Sequence, residues 1–196
     1  YKTQMADAIY SVLNDMFVYG RKQVKQELAT QKMIAYAEPW PEPLGPDDVV
    51  LVKEFLRARA LANANMLALQ LKNYLTFEAL TQIKLGRLDK AALLTGLLNL
   101  SQKLLTEAAG YSVSEAFNYG RSVEAERLSG EWDRAQYSAI LDENVCEVCA
   151  PLDGHEWPMD APEVDKYAGG NPECLGRGRC RCLLVFISKR EVKATK

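Results

Sequence analysis

The chain has 196 residues and five cysteines, and all five fall between residues 146 and 182. They read Cys146-x-x-Cys149, then, after twenty-four intervening residues, Cys174, Cys180 and Cys182. An odd number crowded into the last quarter does not suit a secreted disulfide framework, where an even number is spread along the chain. It suits a metal in a reducing compartment. A C-x-x-C turn puts two sulfurs on one ion, and a distant segment closes the tetrahedron that Zn2+ prefers. The cluster therefore predicts a C-terminal module held by a structural zinc ion.

Four ligands are needed and five thiols are on offer, with His155, the single histidine, as a further candidate. Cys146, Cys149, Cys174 and Cys180 are the favoured set, and Cys182 is the nearest substitute. Residues i and i+2 share a face on a flat strand, so Cys180 and Cys182 meet one ion only through a turn or bend. His155 lies in "PLDGHEW", where Asp153-Gly154 predicts a turn from the knuckle into a strand containing Trp157. A redox C-x-x-C needs a βαβ context, which the sequence lacks. A catalytic zinc needs an open position and an acid or base beside it. Glu147 and Glu156 are the nominees for that role, but with up to six candidate ligands the site reads as closed.

The rest of the chain is helical in pattern. Residues 1–37 repeat apolar positions at Met5, Ile9, Val12, Leu13, Met16, Phe17, Val24 and Leu28, with Gly20 a point where the helix could break. The stretch 38–48, "EPWPEPLGPDD", holds four of the eight prolines and predicts an extended linker. Asp47 is a candidate N-cap for a helix over about 48–74, with the ladder Val52, Leu56, Ala60, Leu67, Leu71 and Tyr74. Thr76 then caps a short helix ending at Gly86, and Asp89 caps a long one ending near Ser129–Gly130, with Gly110 and Gly120 as weak points. Two long helices joined by a short element predict an antiparallel pair. After Gly130 the pattern changes to alternation at Ala135, Tyr137, Ala139 and Leu141, and "HEWPM" and "CLLVFI" follow as strand candidates. The fold class is α+β: a mostly helical first two thirds of long antiparallel helices, then a small zinc-stapled sheet. The divisions are an N-terminal helical arm (1–37), a Pro-rich linker (38–48), and a helical body with the Cys-rich module (49–196).

Charge and motif content narrow the function. Net charge is −2, so no global field draws in nucleic acid. From Asp142 to Asp165 there are eight acids and no Lys or Arg, and from Asn171 to Lys196 seven basic residues against two acids. Arg177, Arg179 and Arg181 alternate beside the cysteines, a spacing suited to phosphate contacts and equally to pairing with the acidic segment. No run of eighteen apolar residues predicts a membrane span. The opening residues read as an amphipathic helix rather than a leader, and the missing initiator Met suggests a processed end or a fragment. No H-E-x-x-H, paired histidines or nucleophile constellation occurs, which predicts no enzyme activity and no small-molecule substrate.

One ordered set of residues goes further. "SEAFNYGR" supplies Glu115, Asn118, Gly120 and Arg121. The strand region supplies Trp132, Asp142, Cys146 and Cys149, the turn Leu152, Asp153 and Gly154, and the end "RCRC" Cys180, Arg181 and Cys182. Taken in order over about residues 105–187, this set resembles the phage Mu F-like minor head proteins, the phage head morphogenesis family. That family has His-Pro shortly before Cys-Arg-Cys. Here "NPEC" and "GRGRC" occupy the stretch, and Cys174 stands in for the histidine. The resemblance implies a structural protein of the virion or procapsid of a tailed phage or prophage, made in the bacterial cytoplasm. It implies portal and major capsid protein as partners, with DNA as a further one in the alternative reading as a nucleic-acid-binding zinc module. Some members are fused to a portal protein or a toxin domain.

Overall fold

In the computed structural model, residues 2–33, 41–143, 145–176 and 180–189 are described. Three long helices lead: α1 (Lys2–Gln31), α2 (Pro46–Lys84) and α3 (Lys90–Arg127). Strand β1 (Trp132–Ser138), strand β2 (Glu156–Pro158), a six-residue helix α4 (Pro162–Tyr167) and strand β3 (Leu183–Ser188) follow. The strands form one antiparallel sheet in the order β2-β1-β3. The mostly helical chain with a small C-terminal sheet is thus the α+β class that the sequence predicts.

Helix boundaries follow local chemistry, with two departures from expectation. The N-cap of α2 is Gly45, not Asp47. Pro46 takes the first turn, where its missing N–H costs nothing, and Asp47 and Asp48 sit against the positive end of the helix. The helix therefore starts inside the stretch read as linker. It also runs through residues 74–76 without a stop. Thr76 is an interior residue whose hydroxyl donates to the Lys72 carbonyl at 2.9 Å, and nothing between Tyr74 and Lys84 is Gly or Pro to end the helix. The chain turns at Leu85 and Gly86, whose φ of +73° is the left-handed conformation that glycine adopts without strain. Asp89 caps α3 as expected, its carboxylate accepting from the N–H groups of Ala91 (2.9 Å) and Ala92 (3.0 Å).

Contacts give the helix directions. Arg59 pairs with Glu115, Asn63 with Ser112, and Phe55 stacks on Tyr119 with centroids 4.5 Å apart, so α2 and α3 are antiparallel. Arg57 lies over Tyr10 while Arg21 reaches the Glu42 carbonyl, so α1 is antiparallel to α2. It therefore runs parallel to α3. Leu13, Phe17, Val52, Leu56, Ala60 and Ala116 make the core among the three.

Gly20 and Gly120, read from sequence as weak points, lie within unbroken helices. They are the crossing point of α1 and α3. A Cβ at Gly20 would overlap the Phe117 carbonyl oxygen, and one at Gly120 the Phe17 carbonyl oxygen. Replacing Gly120 with alanine should cost about 2 kcal/mol, the scale of an overpacked core, read as a lower midpoint of urea unfolding at unchanged slope.

The second core lies under the sheet. Trp132, Ala135, Tyr137, Ala139, Leu184 and Phe186 face Val24 of α1, Ala125 of α3 and the cysteine cluster. The alternation of β1 ends at Ala139, and Leu141 is exposed rather than inward. The side chain of Gln31 works on the outer edge of β3: its amide donates to the Phe186 carbonyl (2.7 Å) and its oxygen accepts from the Ser188 N–H (2.6 Å). The N-terminal helix therefore packs on both the helical body and the sheet. No helix among the described residues is long and apolar enough to cross a membrane.

Candidate metal centre

Two chain segments bring the cysteines together. After β1, residues 145–152 form a tight knuckle in which the N–H groups of Cys149 and Ala150 both donate to the Cys146 carbonyl, each at 3.0 Å. The turn at Gly154 (φ +78°) then returns the chain to β1, where Gly154 N–H donates to the Tyr137 carbonyl at 2.9 Å. The second segment follows α4. Asn171 opens a turn in which its side-chain oxygen accepts from Glu173 N–H (2.9 Å) and its carbonyl from Cys174 N–H (3.1 Å). Cys180 and Cys182 precede β3 and lie outside the strand. That is why both can turn toward one site despite their i, i+2 spacing.

The sulfurs fall into two overlapping trios, Cys146/Cys149/Cys174 and Cys149/Cys180/Cys182, each with its atoms within 4.8 Å of one another. Cys149 belongs to both. The Cys146–Cys174 separation is 3.7 Å and the Cys149–Cys180 separation 4.0 Å. A tetrahedral zinc with Zn–S bonds of about 2.3 Å needs sulfur–sulfur edges of about 3.8 Å. Each of the two separations has the length of one tetrahedral edge, while the four sulfurs do not all lie within 4.8 Å of one another. A cavity of about 30 Å³ is lined by all five cysteines together with Ile140, Val145, Gly176 and Arg181. The donor set and its spacing fit a metal ion.

The surrounding groups are built for thiolate. Tyr137 Oη and Asn171 Nδ2 each lie 3.4 Å from Cys149 Sγ and donate to it. Burial, then the hydrogen bonds to Cys149 and Cys182, push the Tyr137 hydroxyl well above its ordinary range, so it stays a donor. Burial opposes ionisation of Cys146, but the Leu175 N–H, the Cys149 thiol and the N–H groups of Cys149 and Val148 outweigh it and bring this thiol down to about 6. Cys180 is brought down to about 5, chiefly by the Cys182 thiol. Burial raises Cys149 and Cys174, and the bond to Cys180 followed by burial raises Cys182. Cys146 is also the least buried of the five. In metal-free protein at neutral pH it should be the first thiol alkylated by iodoacetamide, as peptide mapping over time would show.

The other sequence candidates separate. His155 is exposed on the β2 side, its ring 6.0 Å from that of Trp157, and it joins neither trio. It is the one candidate donor outside the cluster, because the Gly154 turn carries it past the knuckle into the sheet. Arg181 is held by the acidic segment, its Nη2 donating to both Asp142 oxygens at 2.7 and 2.8 Å. Arg177 and Arg179 lie outside the described residues.

The residues of "SEAFNYGR" prove to be joints. Asn118 donates to the Cys182 carbonyl (3.2 Å). Arg121 makes a two-pronged bond to Glu27 (2.7 and 2.8 Å) and donates to the Leu184 carbonyl (2.7 Å). Trp132 donates from its indole to the Ala125 carbonyl at 3.1 Å. α3 is thus fastened directly to the segment that carries the last cysteines. Sequence reasoning missed Tyr137 and Asn171 as partners of Cys149. The Asn-Pro dipeptide three residues before Cys174 was the available signal for a turn there. No family model matches this chain, and neither does any curated protein or solved structure.

Proposed function

We propose that this chain is a structural minor head protein of a tailed phage or prophage, in which a zinc ion joins the knuckle to the segment before β3. The observation that carries the reading is the gathering of all five cysteines into two trios that share Cys149, within a module whose residue order resembles that of the Mu F-like proteins. Four thiolates on one ion suit zinc, and hard cations prefer oxygen ligands. Cys182 is taken as the fifth thiol: it belongs to the trio that lacks Cys146 and Cys174, and it shares the Tyr137 hydroxyl. The thiols are addressed by protein donors, Tyr137, Asn171 and backbone N–H groups, as suits a structural site, and Arg181 is already engaged by Asp142. The ion would hold the module's shape so that the helical body is presented to portal or capsid protein.

The test is co-sedimentation. The purified protein, mixed with purified portal or procapsids of its own phage, should travel with them and carry one zinc per chain by elemental analysis. A protein that stays in the supernatant at every concentration, and is missing from purified particles, would refute the head assignment even if zinc is present.

A further inference from the structure

The five sulfurs do not form one set. They form two triangles, Cys146/Cys149/Cys174 and Cys149/Cys180/Cys182, joined at a single corner, and within each triangle the sulfurs lie within 4.8 Å of one another. Together the triangles use every cysteine in the chain. One tetrahedral ion uses four thiols and leaves the fifth over. The centre therefore holds one donor more than zinc asks for, and a corner for two ions to share.

What each triangle lacks says which ion fits it. Among the described residues no histidine or carboxylate joins either one. The nearby acids are engaged: Asp153 accepts from the Ala139 N–H at 2.8 Å, and Asp142 accepts from Arg181 at 2.7 and 2.8 Å. A pair of zinc ions, one per triangle, would each be short of a fourth ligand. Cu(I) has no such need. It is a soft d10 ion that takes thiolate ahead of oxygen donors, and three sulfurs in a plane complete its shell. Burial suits it as well. Cys149, Cys174, Cys180 and Cys182 are buried and Cys146 is half-buried, which keeps water, where Cu(I) disproportionates, away from the shared corner. That corner is also the sulfur to which Tyr137 and Asn171 both donate, each from 3.4 Å, so its place between the triangles is fixed.

We propose that the five thiols take up two Cu(I) ions in exchange for zinc, one in each triangle, with Cys149 as the bridging thiolate. Two Cu+ enter, and Zn2+ leaves together with the Cys182 thiol proton; no sulfur is oxidised and no electron moves. Cys182, surplus to zinc, becomes a ligand that copper requires. The inference rests on the cysteine cluster being a metal centre and not on the head assignment.

The test starts from the zinc-loaded full chain under nitrogen, titrated with Cu(I) as its acetonitrile complex. Released zinc is read with a chromogenic chelator, and bound copper by elemental analysis after desalting. Two copper ions should be bound for each zinc released. The near-ultraviolet dichroism of the Tyr137, Trp157 and Tyr167 cluster should survive the exchange, which copper scattered over an unfolded module would not allow. Copper X-ray absorption should show three sulfur neighbours per ion and a second copper close by. Cys182→Ser should still hold one zinc but stop at one copper. One copper per zinc, zinc that copper does not displace, or loss of the aromatic signal overturns the proposal. So does a Cys182→Ser chain that still takes two copper ions. A chain that binds neither zinc nor copper refutes the metal centre itself, whereas one that keeps its zinc against copper refutes this inference alone.

Discussion

Replacing Cys149 with serine should release the metal and unfold the C-terminal third of the protein while leaving the helical body folded. Cys149 is the sulfur common to both trios and the one that receives Tyr137 and Asn171, so no neighbouring thiol can stand in for it. The module has little else to hold it: three strands of seven, three and six residues, and a helix of six. Structural zinc supplies on the order of 10 kcal/mol of folding free energy in comparably small modules. The core among α1, α2 and α3 contains no cysteine. Elemental analysis should therefore fall from one zinc per chain to near none. Near-ultraviolet dichroism from the Tyr137, Trp157 and Tyr167 cluster should collapse, and far-ultraviolet helicity should persist. Serine at Cys182 should leave the zinc in place. Equal loss of zinc from both variants would remove Cys182 as the spare thiol.

The second large effect lies in the helices. Glu124 is fully buried, and its carboxylate is held by Arg21 at 2.6 Å and by Arg127 at 3.1 Å. Arg21 is buried as well: its Nε donates to Glu124 at 2.8 Å, and its Nη2, which lies against the same carboxylate, donates to the Glu42 carbonyl at 2.7 Å. Glu124→Ala should cost about 3–5 kcal/mol, because a guanidinium then remains in the interior without its counter-charge. Urea unfolding followed by helical signal reads this directly. Converting both partners, Arg21→Met with Glu124→Leu, should recover more than half the loss, since apolar residues of similar volume satisfy the same space. If the double variant is as unstable as the sum of the single changes, the cost is packing and not charge.

The parts of this molecule that depend on neighbours in sequence were legible in it. Asp89 as a cap, Gly86 as a stop, the turn at Asp153-Gly154 and the three strand segments each rest on a few consecutive residues. So did the gathering of the cysteines, because a C-x-x-C turn has few other uses. What needed the third dimension was not legible. Gly20 and Gly120 look like breaks until two carbonyls from another helix explain them. Thr76 looks like a cap because its hydroxyl bonds the helix interior as readily as its start. Asn118 and Arg121 carried no signal of their own partners, Cys182 and Glu27, which lie 64 and 94 residues away. α4 is too short to show a period.

The sheet is also closed to outsiders. A side-chain amide from Gln31 occupies the Phe186 carbonyl and the Ser188 N–H, two groups of β3 that a peptide ligand, a swapped strand or a fibril seed would otherwise claim. At the opposite border, β2 is three residues long and ends in Pro158, which has no N–H to offer. Among the described residues, both borders of the sheet therefore offer few free backbone groups to an added strand, and the broad surfaces are those of the helices and loops.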